Sequence, residues 1–106
     1  MIHVLYLDDE SHNLTAFRAA FRRVFKVHVT TEPTEAVQIL REHPIEVVIS
    51  DQKMPALSGV EFFELIMSDF PDPIRMLLTG HADIDAVIGL QLKLRLTHQQ
   101  NLGLMG

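Results

Sequence analysis

The sequence predicts an α/β protein built on a doubly wound parallel sheet. Short apolar runs rich in branched residues alternate with segments whose apolar residues recur every three or four positions. The runs end in acidic or hydroxyl residues, at Asp8-Asp9, Asp51 and Thr79. Strands alternating with helices in this way imply right-handed crossovers, a parallel sheet, and helices on both of its faces.

The first run, Ile2–Leu7, stops at Asp8-Asp9-Glu10, as a buried strand entering a polar loop does. Leu14, Phe17, Phe21 and Val24 then fall at helical spacing. Ser11 is placed to cap this helix, and Arg22, Arg23 and Lys26 stand toward its end, where the dipole favours cations. Val27 and Val29 predict a short second strand. Pro33, followed by Ala36, Val37 and Leu40, predicts a second helix with proline in its first turn, stopped by His43-Pro44. Ile45–Ile49 is the clearest strand, because Val47, Val48 and Ile49 are continuous rather than alternating, the mark of a strand covered on both faces. It ends at Ser50-Asp51. After a Met54-Pro55 turn and Gly59, residues Phe63, Ile66, Met67 and Phe70 form a third helical face, closed by Pro71 and Pro73. Ile74–Leu78 is the fourth strand, ending at Thr79-Gly80, and Ala82–Ile88 begins a further helix. Phe17, Phe21, Phe63 and Phe70 are assigned to the core.

A chain of 106 residues fits a single domain. With 47% hydrophobic and 22% charged residues it can bury a core and does not read as disordered. Nine basic against fourteen acidic residues give a net charge of -5, which argues against sequence-independent attraction to nucleic acid or anionic membranes. The N-terminus lacks the basic flank of a signal peptide, and its apolar run is too short to span a membrane. Cysteine is absent, which excludes disulfides and thiolate metal sites and agrees with a reducing compartment; a soluble, cytoplasmic domain is expected. The six histidines are dispersed, with no pair at ligand spacing on a predicted helix, so no zinc or iron site is expected. His81 is read as a loop side chain at the rim of the site described next.

In open parallel sheets the ligand site lies beyond the C-terminal ends of the strands, where strand order reverses. Here the first strand delivers Asp8 and Asp9 to that edge, the third Asp51 and the fourth Thr79. Singly, each is an ordinary strand-end turn residue, and Thr79 can bond its own backbone. Their convergence is what points to chemistry. Three carboxylates packed together repel, and one must take up a proton unless a cation neutralises them. Mg²⁺ prefers oxygen ligands and commonly binds through carboxylates together with phosphate oxygens. A carboxylate beside it can attack phosphorus and form an acyl phosphate, with the Thr79 hydroxyl donating to a phosphoryl oxygen. Glu10 is read only as an acid favoured at a helix start.

The segments Leu5-Tyr6-Leu7-Asp8-Asp9-Glu10, Ile49-Ser50-Asp51-Gln52-Lys53-Met54-Pro55, Ser58-Gly59 and Leu77-Leu78-Thr79-Gly80 resemble the receiver domains of bacterial two-component response regulators, over residues 2 to about 88. The resemblance implies a flavodoxin-like strand order, 2-1-3-4-(5). It implies that Asp51 is the phosphoacceptor, and that Asp8 and Asp9 hold Mg²⁺ beside it, with Asp9 the more direct ligand. Lys53 matches the position whose backbone carbonyl completes the metal site, and Thr79 the hydroxyl that contacts the phosphoryl group. It further implies a sensor histidine kinase or phosphotransfer protein as donor, a phosphorylation-dependent partner surface, and no enzymatic activity beyond self-phosphorylation and autodephosphorylation. The segment Thr79–Asp83 resembles receivers joined to cyclic-dinucleotide phosphodiesterase domains or to activators of enhancer-dependent transcription. An aspartyl phosphatase is disfavoured, since no Asp-x-Asp-x-Thr follows the first strand.

Such receivers continue into a fifth strand, with an aromatic residue and then a Lys-Pro pair, and a fifth helix. Residues 89–106 contain neither the pair nor any aromatic residue, and Lys93 is followed by Leu94. The division is therefore a receiver core over 1–88 and an atypical tail over 89–106, with the last strand and helix missing or aberrant. Leu90, Leu92, Leu94 and Leu96 alternate as in a half-buried strand, and a helix through Gln91–Gln100 also fits. Synonymous codons exist for Gln100–Gly103 that read Lys-Pro-Trp two bases later, so a frameshift near codon 89 is one account of the tail. An uncovered sheet edge predicts marginal stability or self-association through that edge. The tail also supports a second functional reading, a receiver-like docking module that works independently of phosphorylation.

Overall fold

In the computed structural model of the protein, which describes residues 1–79, strands and helices alternate without exception. The order is β1 (His3–Leu7), α1 (Ser11–Phe21), β2 (Lys26–Thr30), α2 (Pro33–Glu42), β3 (Ile45–Asp51), α3 (Gly59–Ile66) and β4 (Ile74–Leu78). The strands lie side by side as β2-β1-β3-β4 and every pair is parallel. This is the doubly wound α/β sheet with the flavodoxin-like order expected of the first four strands. The predicted helix from Ala82, His81, Lys93 and the tail over 89–106 lie outside the described residues.

The period-two alternation of the central strands sorts their side chains into two cores. Val4, Tyr6, Val47 and Ile49 face one way, onto Leu14, Phe17 and Phe21 of α1. Leu5, Leu7 and Val48 face the other way, onto Ala36 and Leu40 of α2 and Phe62 and Ile66 of α3. Burial on both faces explains why β1 and β3 read as continuous apolar runs. Strand order reverses between them, with β2 on the far side of β1 and β4 on the far side of β3. Their C-terminal ends therefore define the crevice where such sheets bind ligands.

Several helix limits and phases differ from the sequence expectation. α1 ends at Phe21, and Ser11 is its first residue rather than its cap; Glu10 is the capping position and makes no side-chain cap bond. Val24 is consequently 45% exposed, while Phe25 turns back into the α1 core at 2% exposure, its amide bonded to the Phe21 carbonyl. In α3, Gly59 is the first helical residue rather than part of the preceding turn. That start directs Phe62 and Ile66, four residues apart, inward. It leaves Met67 at 49% exposure and Phe63 and Phe70 half-buried against the second core. α3 ends at Ile66, before Pro71. Three histidines that are scattered in sequence, His3, His28 and His43, stand together in space. Among the described residues no helix is long and apolar enough to cross a membrane.

Candidate functional site

Asp8 and Asp9 follow the last residue of β1, and Asp51 is the last residue of β3, the neighbouring strand. One carboxylate oxygen from each can be chosen so that all three lie within 4.8 Å of one another. The three acids differ in setting. Asp8 is 1% exposed, Asp51 half-buried and Asp9 exposed. Thr79 follows β4 directly, one residue beyond the Leu78–Asp51 register pair, so it stands at the same edge of the sheet with an exposed side chain. Lys53 lies two residues past Asp51, its side chain exposed, and lines an open cleft with Asp9, Gln52 and Met54.

The buried Asp8 carboxylate is fixed by three donors. The Tyr6 hydroxyl donates to Oδ2 at 2.6 Å, the Glu10 backbone N–H to Oδ1 at 2.9 Å, and Asn13 Nδ2 to Oδ2 at 3.1 Å. Tyr6 and Asn13 thus act as positioning residues, and neither was singled out from the sequence. For Tyr6 a signal existed: residues two apart on a strand share a face, so Tyr6 and Asp8 had to point the same way. Tyr6→Phe removes a buried bond to a carboxylate and is expected to cost about 1–2 kcal/mol of stability. Urea denaturation of the variant checks this.

Burial, followed by the charges of Asp8 and Asp9, pushes the Asp51 carboxyl above its ordinary value of 3.8, with the backbone N–H groups of Gln52 and Lys53 working against the rise. A carboxyl whose value is raised on folding binds more protons in the folded state than in the unfolded one. Without metal, stability therefore falls as pH climbs from the unfolded value through the raised one. Asp51→Asn should remove this slope and make the metal-free protein more stable at neutral pH. The site is open to solvent, which limits the gain to about 1 kcal/mol or less. Denaturant midpoints against pH in the presence of a chelator test the sign; a variant less stable than the parent would contradict it.

The end of β3 is stitched to the start of α3. The Gly59 N–H donates to the Gln52 carbonyl at 3.1 Å and the Val60 N–H to Gln52 Oε1 at 3.0 Å. Ser58 Oγ accepts from the Glu61 N–H at 3.1 Å, and Glu61 Oε1 from the Ser58 N–H at 2.9 Å, completing a reciprocal cap. Hydrogen bonds from the Ser58 backbone N–H and then from its side chain hold the Glu61 carboxyl below its ordinary value. At Gly59 a β-carbon would overlap the Leu77 side chain and stand 2.7 Å from the Asp51 carbonyl oxygen. Only glycine lets the helix approach the Asp51 backbone this closely.

The chain that carries this arrangement is similar to known proteins. The family model described as response regulator receiver domain matches residues 4–95. The hydrogenase transcriptional regulatory protein HoxA of Cupriavidus necator is 33% identical over 85 residues, which is 80% of this chain and 18% of that protein. The chain thus spans less than a fifth of that relative. A response regulator receiver domain protein from Clostridium thermocellum has a solved structure 32% identical in sequence, with a TM-score of 0.70 over 88% of this chain and 76% of that one. The signal receiver domain of an HD domain-containing protein from Pseudomonas fluorescens Pf-5 shares the fold with a TM-score of 0.80, covering 94% of this chain and 98% of that one at 22% identity.

Proposed function

The chain belongs to the response regulator receiver domain family, and on that premise we propose that it takes a phosphoryl group from a sensor histidine kinase, or from a phosphotransfer protein, onto Asp51. The observation that carries this reading is the meeting of Asp8, Asp9 and Asp51 at two adjacent strand ends, one oxygen from each within 4.8 Å. The donor set consists of hard oxygens alone, which fits Mg²⁺ and disfavours softer metals. Asp8, Asp9, Asp51 and the Lys53 backbone carbonyl would hold it. When bound, Mg²⁺ supplies the positive charge that offsets the carboxylates and the phosphoryl oxygens.

The chain's own residues then divide the work. Asp8, locked by its three donors, fixes one side of the cluster. An Asp51 carboxylate oxygen forms a bond to phosphorus as the phosphorus–nitrogen bond of the donor's phosphohistidine breaks, and the electron pair returns to the imidazole nitrogen. The Thr79 hydroxyl donates a hydrogen bond to a phosphoryl oxygen. Water later cleaves the acyl phosphate, so the chain cycles as a switch without turning over a separate substrate. The absence of cysteine supports a cytoplasmic setting, where such kinases draw on ATP. Self-association through the sheet edge, which the sequence of residues 89–106 predicts, is tested by light scattering over a range of concentrations.

Phosphotransfer tests the reading. A histidine kinase carrying labelled phosphohistidine should lose its label to this chain when Mg²⁺ is present, and Asp51→Asn should receive none. The missing Lys-Pro pair favours the docking alternative, in which Asp51→Asn would bind its partner as well as the parent and no kinase would transfer label.

A further inference from the structure

The two ends of the sheet carry different donor chemistry. At the end opposite the acids, His3 opens β1, His28 lies in β2, and His43 caps the C-terminal end of α2. β1 and β2 are paired His3 to Lys26 and Leu5 to His28, so His3 and His28 share one face of the sheet, two residues offset. His3 Nδ1 stands 3.1 Å from His28 Nε2. The His28 and His43 ring centroids are 4.4 Å apart, those of His3 and His28 5.3 Å, and those of His3 and His43 6.2 Å. One ring nitrogen from each of the three lies within 4.8 Å of the others. At the rise of an extended strand, the five residues from His3 to Asp8 put this cluster about 15 Å from the acidic site, too far for a shared ion.

We propose that His3, His28 and His43 form a second metal site, specific for a borderline divalent transition ion such as Zn²⁺ and independent of the acidic cluster. Three imidazoles from three separate elements present nitrogen donors, the ligands that Zn²⁺, Co²⁺, Ni²⁺ and Cu²⁺ prefer and Mg²⁺ does not. Zinc–nitrogen bonds of 2.0–2.1 Å in a tetrahedron place two ligand nitrogens about 3.3 Å apart, close to the His3–His28 separation. His43 closes the set by rotating its ring inward. All three side chains are half-buried, which leaves a fourth position facing solvent. Burial, then the neighbouring His43 and His3 and the cations Lys26 and Arg18, lower His28 to about 4, so at neutral pH its nitrogen is free to donate. A simple His–His hydrogen bond accounts for one pair of rings; it does not account for the third ring converging on them. A bound ion would tie the starts of β1 and β3 and the end of α2 to the β2 edge of the sheet.

The test is calorimetric titration of the full chain with Zn²⁺ in excess Mg²⁺, so that the oxygen site is already satisfied. The expected result is one equivalent bound, weakened at least about tenfold by each of His3→Ala, His28→Ala and His43→Ala and less than about twofold by His12→Ala. Zn²⁺ uptake that excess Mg²⁺ suppresses, no uptake, or uptake that all three substitutions leave unchanged would overturn the proposal. Should the variants fold poorly, Co²⁺ added to the unaltered chain in the same buffer decides: nitrogen-ligated four-coordinate Co²⁺ absorbs strongly in the visible, whereas a pale spectrum of six-coordinate Co²⁺ on oxygen contradicts the site.

Discussion

Asp9→Asn is expected to weaken Mg²⁺ binding by about thirtyfold while leaving the fold intact. The side chain is exposed, and asparagine keeps its size and one oxygen, so the change is confined to charge. A unit charge a few ångströms from a divalent ion is worth about 2 kcal/mol even at the dielectric constant of water, which corresponds to that factor in affinity. Phosphorylation at limiting Mg²⁺ should slow in proportion and recover as Mg²⁺ is raised. Asp8→Asn makes an informative contrast. Its carboxylate is buried and accepts from Tyr6, the Glu10 N–H and Asn13, so an amide there turns two of its four acceptor sites into donors. That variant should lose stability as well as metal affinity, by about 1–3 kcal/mol. Metal titration and urea denaturation of the pair separate a ligand that is only charged from one that is also structural. Equal stability losses in both would contradict the assignment.

Gly59→Ala is expected to be destabilising by about 1–3 kcal/mol, the range for forcing an extra carbon into a packed site. The sign is what makes the test sharp. Elsewhere in a helix, alanine is favoured over glycine by about 1 kcal/mol. Here its β-carbon would meet the Leu77 side chain, which can move, and the Asp51 carbonyl oxygen at 2.7 Å, which cannot move without displacing the end of β3. The strain is therefore delivered to the proposed acceptor, and phosphorylation should fall with stability. A variant more stable than the parent would show that the close approach of α3 to β3 is wrong. Ser58→Ala, which removes only the cap, should cost about 1 kcal/mol and leave the site in place.

The fold was legible because its signals are local and repeated. The continuous apolar residues of β1 and β3 reveal strands covered on both faces, and Pro33 and His43-Pro44 mark the limits of α2 within a residue. The acidic cluster was legible for the same reason, since each member sits where an apolar run ends. What the sequence hid depends on phase and register. The inward face of α3 depends on whether the helix starts at Gly59 or later, and one residue's difference exchanges Phe62 for Phe63 and exposes Met67. Phe25 reaches the core because the chain keeps turning after Phe21, which no spacing rule anticipates. The histidines illustrate the limit most clearly. His3 and His28 are 25 residues apart and become neighbours only once the β1–β2 register is fixed. A search for ligand spacing along a helix cannot detect a cluster of side chains gathered from two strands and a helix cap.

The most direct measurement of the central claim is chemical mapping of the acceptor. The full chain is phosphorylated by a small phosphodonor in Mg²⁺ and treated with borohydride, which reduces an acyl phosphate to an alcohol, and its peptides are read by mass spectrometry. The account predicts that Asp51 alone is converted to homoserine, only when Mg²⁺ is present, and that Asp51→Asn yields no converted residue. Conversion at Asp8, Asp9 or any other carboxylate of the unaltered chain, or a protein that takes up no phosphoryl group under these conditions, would contradict it.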